Sequence, residues 1–113
     1  VWVLESYASD NAVVLPRAGS TVTAVFSADG RVTGSGGCNQ YAAEFASNGP
    51  AIRVGAVRVA SSRSCPAPVA AQEAVFLDLL GSAEEYAMYG DWLSIRAANR
   101  TVLSFRAAAE DSR

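Results

Sequence analysis

The chain has 113 residues, 9 basic and 11 acidic, a formal net charge of -2, and half of it is hydrophobic. That is one domain of ordinary size with material for a core, and its arginines are scattered without a run, so the basic face that nucleic acid requires is missing. Histidine is absent, which removes the commonest general base and the commonest zinc ligand, and no stretch reaches the ~18 apolar residues of a membrane helix.

The chain opens Val1-Trp2 without a Met, as expected of a mature or excised piece of a longer product. Trp2 to Tyr7 reads as a strand, with Trp2 and Leu4 on one face and Val3 and Glu5 on the other. Ser9-Asp10-Asn11 breaks it. Val13 to Gly19 contains Pro16 and is at best an edge segment. Thr21 to Phe26 is a clean strand, with Val22, Ala24 and Phe26 pointing one way. Ser27-Ala28-Asp29-Gly30 supplies hairpin chemistry, and Arg31 to Gly34 returns antiparallel.

Gly34-Ser35-Gly36-Gly37-Cys38-Asn39-Gln40-Tyr41 follows, and the rest of the chain is arranged around it. Three glycines in four positions permit backbone angles that a Cβ forbids, so the stretch predicts a tight corner. It lacks the Gly-Lys-Ser/Thr ending of a phosphate loop and does not fit GxGxxG. Asn39 is expected to hydrogen-bond exposed backbone at the corner.

Tyr41 to Phe45 alternates as a strand and stops at the turn Ser47-Asn48-Gly49-Pro50. Ala51 to Gly55 and Val57 to Ser61 read as two more strands. A loop from Ser61 to Pro68 then carries Cys65. The two cysteines are not in a CxxC spacing and have no imidazole beside them, which argues against a metal site or a redox pair. A disulfide fits better and implies an oxidising compartment; the alternative is two buried free thiols.

The period then changes. Val69, Gln72, Glu73, Phe76, Leu79 and Leu80 recur at three- and four-residue steps, which predicts one helix over about Pro68 to Leu80. Pro66 or Pro68 suits its first turn and Gly81 its C-terminal cap. Glu73 lies on the apolar face, where a carboxylate needs partners. It is expected at a rim or as an acceptor for backbone N–H groups near Cys65. A general acid/base role would need a second group, and none can be named.

Glu84 to Tyr89, a Gly90-Asp91 turn, and Trp92 to Arg96 form a hairpin, and Val102 to Arg106 pairs after Ala98-Asn99. Leu93, Ile95, Leu103 and Phe105 point inward. Trp92 falls on the opposite face, so Tyr89 and Trp92 form the candidate interaction surface. Trp2, Tyr7, Tyr41 and Tyr86 are further candidates to line a concave surface with them. Residues 107–113 carry no pattern and read as a frayed tail beyond a domain of 1–106. Seven or eight short strands with turns between them argue for a sandwich or barrel, with the helix plugging an open seam or mouth.

Taken together, these elements resemble the META domain family, the HslJ-like proteins of bacterial envelopes. The matching features are Trp2-x-Leu4, Phe26 before Asp29-Gly30-Arg31-Val32, and Gly34-x-x-Gly37-Cys38-Asn39-x-Tyr41. Cys65-Pro66, Glu73-x-x-Phe76-Leu77-x-x-Leu80 and the closing Leu93-x-Ile95 with Leu103-x-Phe105 complete the set. The resemblance spans Trp2 to Phe105. This chain has Ser62-Arg63-Ser64 where relatives tend to have Thr and apolar residues.

The resemblance implies a mainly β fold: a small antiparallel β-barrel with one helix packed on it and a Cys38–Cys65 disulfide. It also implies a secreted or lipid-anchored protein of the bacterial envelope, linked loosely to stress, with no family-wide enzymatic activity. Gly34, Gly37, Asn39 and Glu73 are then structural, and no cofactor, metal or catalytic residue is expected. Two functions remain open. One is a non-catalytic module acting on a protein partner; the other is a carrier holding a small apolar ligand in the barrel.

Overall fold

A computed structural model describes residues 1–9, 12–16, 20–60 and 64–108. In chain order the elements are β1 (Trp2–Ser9), β2 (Ala12–Val14), β3 (Thr23–Phe26), β4 (Arg31–Ser35), β5 (Gln40–Asn48), β6 (Ala51–Val54) and β7 (Arg58–Val59). Then come α1 (Ala67–Gly81), β8 (Glu85–Tyr89), β9 (Trp92–Ala97) and β10 (Arg100–Ala107).

Eight strands close into an antiparallel barrel in the order β1, β3, β4, β5, β6, β8, β9, β10. The choice between sandwich and barrel is decided by β10, which pairs back onto β1 from Trp2↔Ala107 to Tyr7↔Leu103. Closure leaves the main sheet without a free edge. β2 and β7 are short additions, paired to β1 and β5 respectively. The weakest seam lies between β6 and β8, which share one register pair, Ala51↔Glu85. Backbone bonds from Ile52 to Glu84 (3.0 Å) and from Tyr86 to Pro50 (2.9 Å) flank it.

Alternation fills the interior. Val22, Ala24, Val32, Tyr41, Leu93, Ile95, Leu103 and Phe105 are all buried. Two irregularities were not legible. A bulge between Leu4 and Ser6 re-phases β1, so Leu4 and Tyr7 both face inward although they are three residues apart. A second, between Thr101 and Leu103, lets the adjacent Val102 and Leu103 both be buried.

The helix starts at Ala67, with Pro66 as N-cap and a proline in its first positions. Its end differs from expectation. Gly81 closes the last turn, and Ser82 caps it, donating from Oγ to the Leu79 carbonyl at 2.7 Å. Phe76 and Leu80 are fully buried. The Phe76 ring sits edge-on between Tyr41 (centroids 5.6 Å apart) and Phe105 (6.2 Å), so the helix stops one end of the barrel.

β10 continues through Ala107, and the Ala108 N–H donates to the Val1 carbonyl at 2.8 Å. Positions 109–113 of the expected tail lie outside the described residues, as do Asp10 and Asn11 of the predicted break and positions 17–19 and 61–63.

Candidate functional site

Strand register separates the two ends of the barrel. β3 enters at Val22, which bridges to Gly36, and leaves at Phe26, which pairs with Val32. β5 enters at Gln40 beside Ser35 and leaves past Phe45. The glycine corner and the helix therefore share one end. Trp2, Phe26 and Phe45 mark the other.

At the corner, each glycine answers a specific crowding. A Cβ on Gly34 would run into the backbone carbonyl of Thr23. That same carbonyl accepts the Tyr41 hydroxyl at 2.6 Å. A Cβ on Gly36 would lie 2.7 Å from the Glu73 side chain. Gly37 has φ +105°, in the left-handed half of the map that glycine tolerates. The missing Cβ of Gly36 clears the path for the Glu73 carboxylate, which α1 projects into the turn.

Glu73 Oε2 accepts the N–H groups of Cys38 (3.2 Å) and Asn39 (2.6 Å). Its Oε1 accepts the Asn39 side-chain amide at 3.2 Å. The side chain is 7% exposed. A buried carboxylate is tolerable only when hydrogen-bonded this fully. Beside it, Gln72 donates to the Ser20 hydroxyl at 3.0 Å. Cys38 and Cys65 are joined by a disulfide with Cα atoms 6.2 Å apart, which ties the corner to the loop launching the helix. Gly34, Gly37, Asn39, Glu73, Cys38 and Cys65 thus converge in one locked structure. Glu73 meets the backbone on the Cys38 side of the bridge. Burial pushes the Tyr41 phenol above its ordinary range, so it stays a neutral donor.

The far end is different. A cavity of about 160 Å³ opens there. Trp2, Phe26, Phe45 and Tyr86 form its aromatic wall, with Phe26 and Phe45 edge-to-face at 5.1 Å. Leu93 and Ile95, both buried, form the floor, and Met88, 59% exposed, stands at the rim. Its hydrogen-bonding side chains are Ser47, the Tyr86 hydroxyl and the Trp2 indole, and none of the lining residues is charged. Of the aromatics expected to line a concavity, Trp2 and Tyr86 do so, while Tyr7 and Tyr41 are core. That Phe26, Phe45 and Ile52 face one void is not legible in strand alternation, which sets a residue's face but not what stands opposite it.

Tyr89 and Trp92 are directly paired at the tip of the β8–β9 hairpin, on the outer face. Tyr89 is 66% exposed and Trp92 36%. The Arg106 guanidinium lies 4.4 Å from the Trp92 ring centroid and holds it against the sheet. Among the described residues no cluster of His, Cys, Asp or Glu could hold a metal, and no helix is long and apolar enough to cross a membrane.

The META domain family model matches residues 1–110. The chain is similar to a protein from Burkholderia xenovorans solved by NMR, at 20% identity and TM-score 0.78, over 96% of this chain and 81% of that one. It is also similar to the crystal structure of a DUF4847 family protein from Bacteroides vulgatus, at 19% identity and TM-score 0.58, over 82% of this chain and 62% of that one. At such identities the likeness concerns the fold. No curated protein matches the chain.

Proposed function

We propose that this chain, which belongs to the META domain family, is a non-catalytic accessory module working outside the cytoplasm through protein contact at the Tyr89–Trp92 hairpin. The observation that carries this reading is the exposed, directly paired Tyr89 and Trp92. Paired aromatics of this kind offer large, rigid contact area at low entropic cost and are enriched where proteins meet. Arg106 pre-orders the Trp92 ring, which lowers the cost of using it. The disulfide supports an oxidising compartment, and hence a secreted or envelope location; a stress-related role is carried only by the family resemblance.

The non-catalytic part rests on the corner. Its one buried carboxylate gives both oxygens to backbone and amide donors. A general acid/base must instead reach a substrate proton.

A photo-cross-linking side chain at Tyr89 tests the contact in cells that export the protein. One discrete adduct is expected, and Trp92→Ala should remove it. The same probe at Val59, exposed on β7 at the corner end, is the control. Equal adducts from both positions would refute the hairpin surface.

The carrier reading is favoured by one observation, the cavity. At about 160 Å³ it falls below the ~300 Å³ where drug-sized sites begin. Behind it Phe76, Phe105 and Leu103 fill the interior. An extended lipid does not fit.

A further inference from the structure

We propose that the open mouth of the barrel is a binding site for one small, neutral, monocyclic aromatic molecule. The site is separate from the hairpin's outer face and does not depend on the protein-contact reading.

Size sets the first limit. An enclosed apolar cavity of about 150 Å³ takes up benzene, and this mouth, open on one side, has about 160 Å³ of matching space. Depth sets the second. Leu93 and Ile95 close the floor at 3% and 0% exposure, so a chain longer than one ring has nowhere to go.

Charge and shape set the rest. None of the lining residues is charged, so an ionised ligand would lose its hydration without compensation. Four aromatic side chains line the wall, and Phe26 and Phe45 already meet edge-to-face. A guest ring can extend that packing, which aromatic quadrupoles favour over an aliphatic guest of equal area. Ser47 offers a hydroxyl at the exposed rim, a partner for a phenolic or similar substituent, beside the Tyr86 and Trp2 polar groups of the wall. Met88 stands beside it, flexible and half out in solvent, able to yield for entry and close behind the ring. Phenol meets every one of these limits.

The test titrates phenol into the disulfide-intact protein and follows the Met88 methyl and the methyls of Ile52, Leu93 and Ile95 by NMR. Saturable shifts confined to these groups are expected. Ser47→Phe should fill the rim from an exposed position and weaken binding by about tenfold or more, with the melt unchanged or raised. Met88→Phe serves the same purpose if that variant does not fold. Benzoate, charged, and hexanoate, charged and extended, should produce no saturable shift. No shift with phenol up to its solubility limit would overturn the proposal. So would undiminished binding in the filled variants, or binding of N-acetylphenylalaninamide without binding of phenol, which would mean a ring carried on a partner.

Discussion

At the corner end of the barrel a carboxylate, a disulfide and two backbone amides are all committed to one another. At the far end, aromatic side chains meet across a space they do not fill. The same chain builds both from inward alternation, yet one end is sealed and the other open. A buried polar network is stable only when complete, and a complete one has no valence left for a ligand. An apolar wall carries no such demand. It can stay unfilled at a moderate cost, and so remains available for binding. Stability should therefore sit at the corner and recognition at the mouth and hairpin. That division can be broken by measurement.

The largest effect belongs to Phe76, the helix side chain wedged between Tyr41 and Phe105. Phe76→Ala should cost about 3–5 kcal/mol, read from urea unfolding. A loss below about 1 kcal/mol would mean the helix does not stop this end. Next comes the disulfide. Its two cysteines are separated by 27 positions, and the chain-entropy model assigns such a loop roughly 3.5 kcal/mol. Changing both cysteines to Ala should lower the melt accordingly, and an unchanged melt would make the bridge energetically idle. Glu73→Gln keeps the volume but replaces a carboxylate oxygen with an NH2 beside donors. A loss of about 1–3 kcal/mol is expected. Glu73→Ala should be partly rescued by added acetate, since the amides of Cys38 and Asn39 would still converge on the vacated position. Acetate without effect would mean that Glu73 creates the turn rather than fitting into it.

Tyr41 tests the same end by pH. Burial raises its folded-state pKa, while in the unfolded chain the phenol ionises near its ordinary value of about 10. Its contribution is therefore complete below about pH 10 and is lost as pH climbs from there toward the folded value. Tyr41→Phe should remove that part of the alkaline fall, so wild type should lose stability more steeply than the variant above about pH 10. Parallel slopes would place the hydroxyl in water.

Much of this was legible. Period alone puts Leu93, Ile95 and Phe105 inward and Val22 on one face with Ala24 and Phe26, and helical spacing puts Glu73 on the apolar helix face. The Gly-Gly-Cys-Asn run announced a corner because only glycine tolerates what occurs there. The two bulges were not legible. A bulge adds one residue without changing composition, and Glu5 looks like any outward strand residue. The mouth was hidden for a related reason. Whether inward residues meet or leave a gap depends on barrel diameter and register, which Phe26 and Phe45 do not encode separately. Gly81 as cap failed because Ser82 could bond the Leu79 carbonyl through its own hydroxyl.

The smallest expected effect on stability is also the sharpest test of the division. Trp92 sits opposite Tyr89, outside the barrel, and covers nothing in the core cluster. Its identified ring contact is with Arg106, itself exposed, and such a pair contributes about 0.5–1 kcal/mol. Trp92→Ala should therefore lower unfolding stability by no more than about 1 kcal/mol, and Tyr89→Ser by about 0.5 kcal/mol or less. Trp92→Ala should nonetheless abolish the adduct formed by the probe at position 89. If Trp92→Ala instead costs as much as Phe76→Ala, the hairpin is a structural clamp on β10 and the two ends of the barrel are doing the same job. If the adduct survives a near-neutral Trp92→Ala, the clamp is excluded as well and Trp92 is no part of the contact.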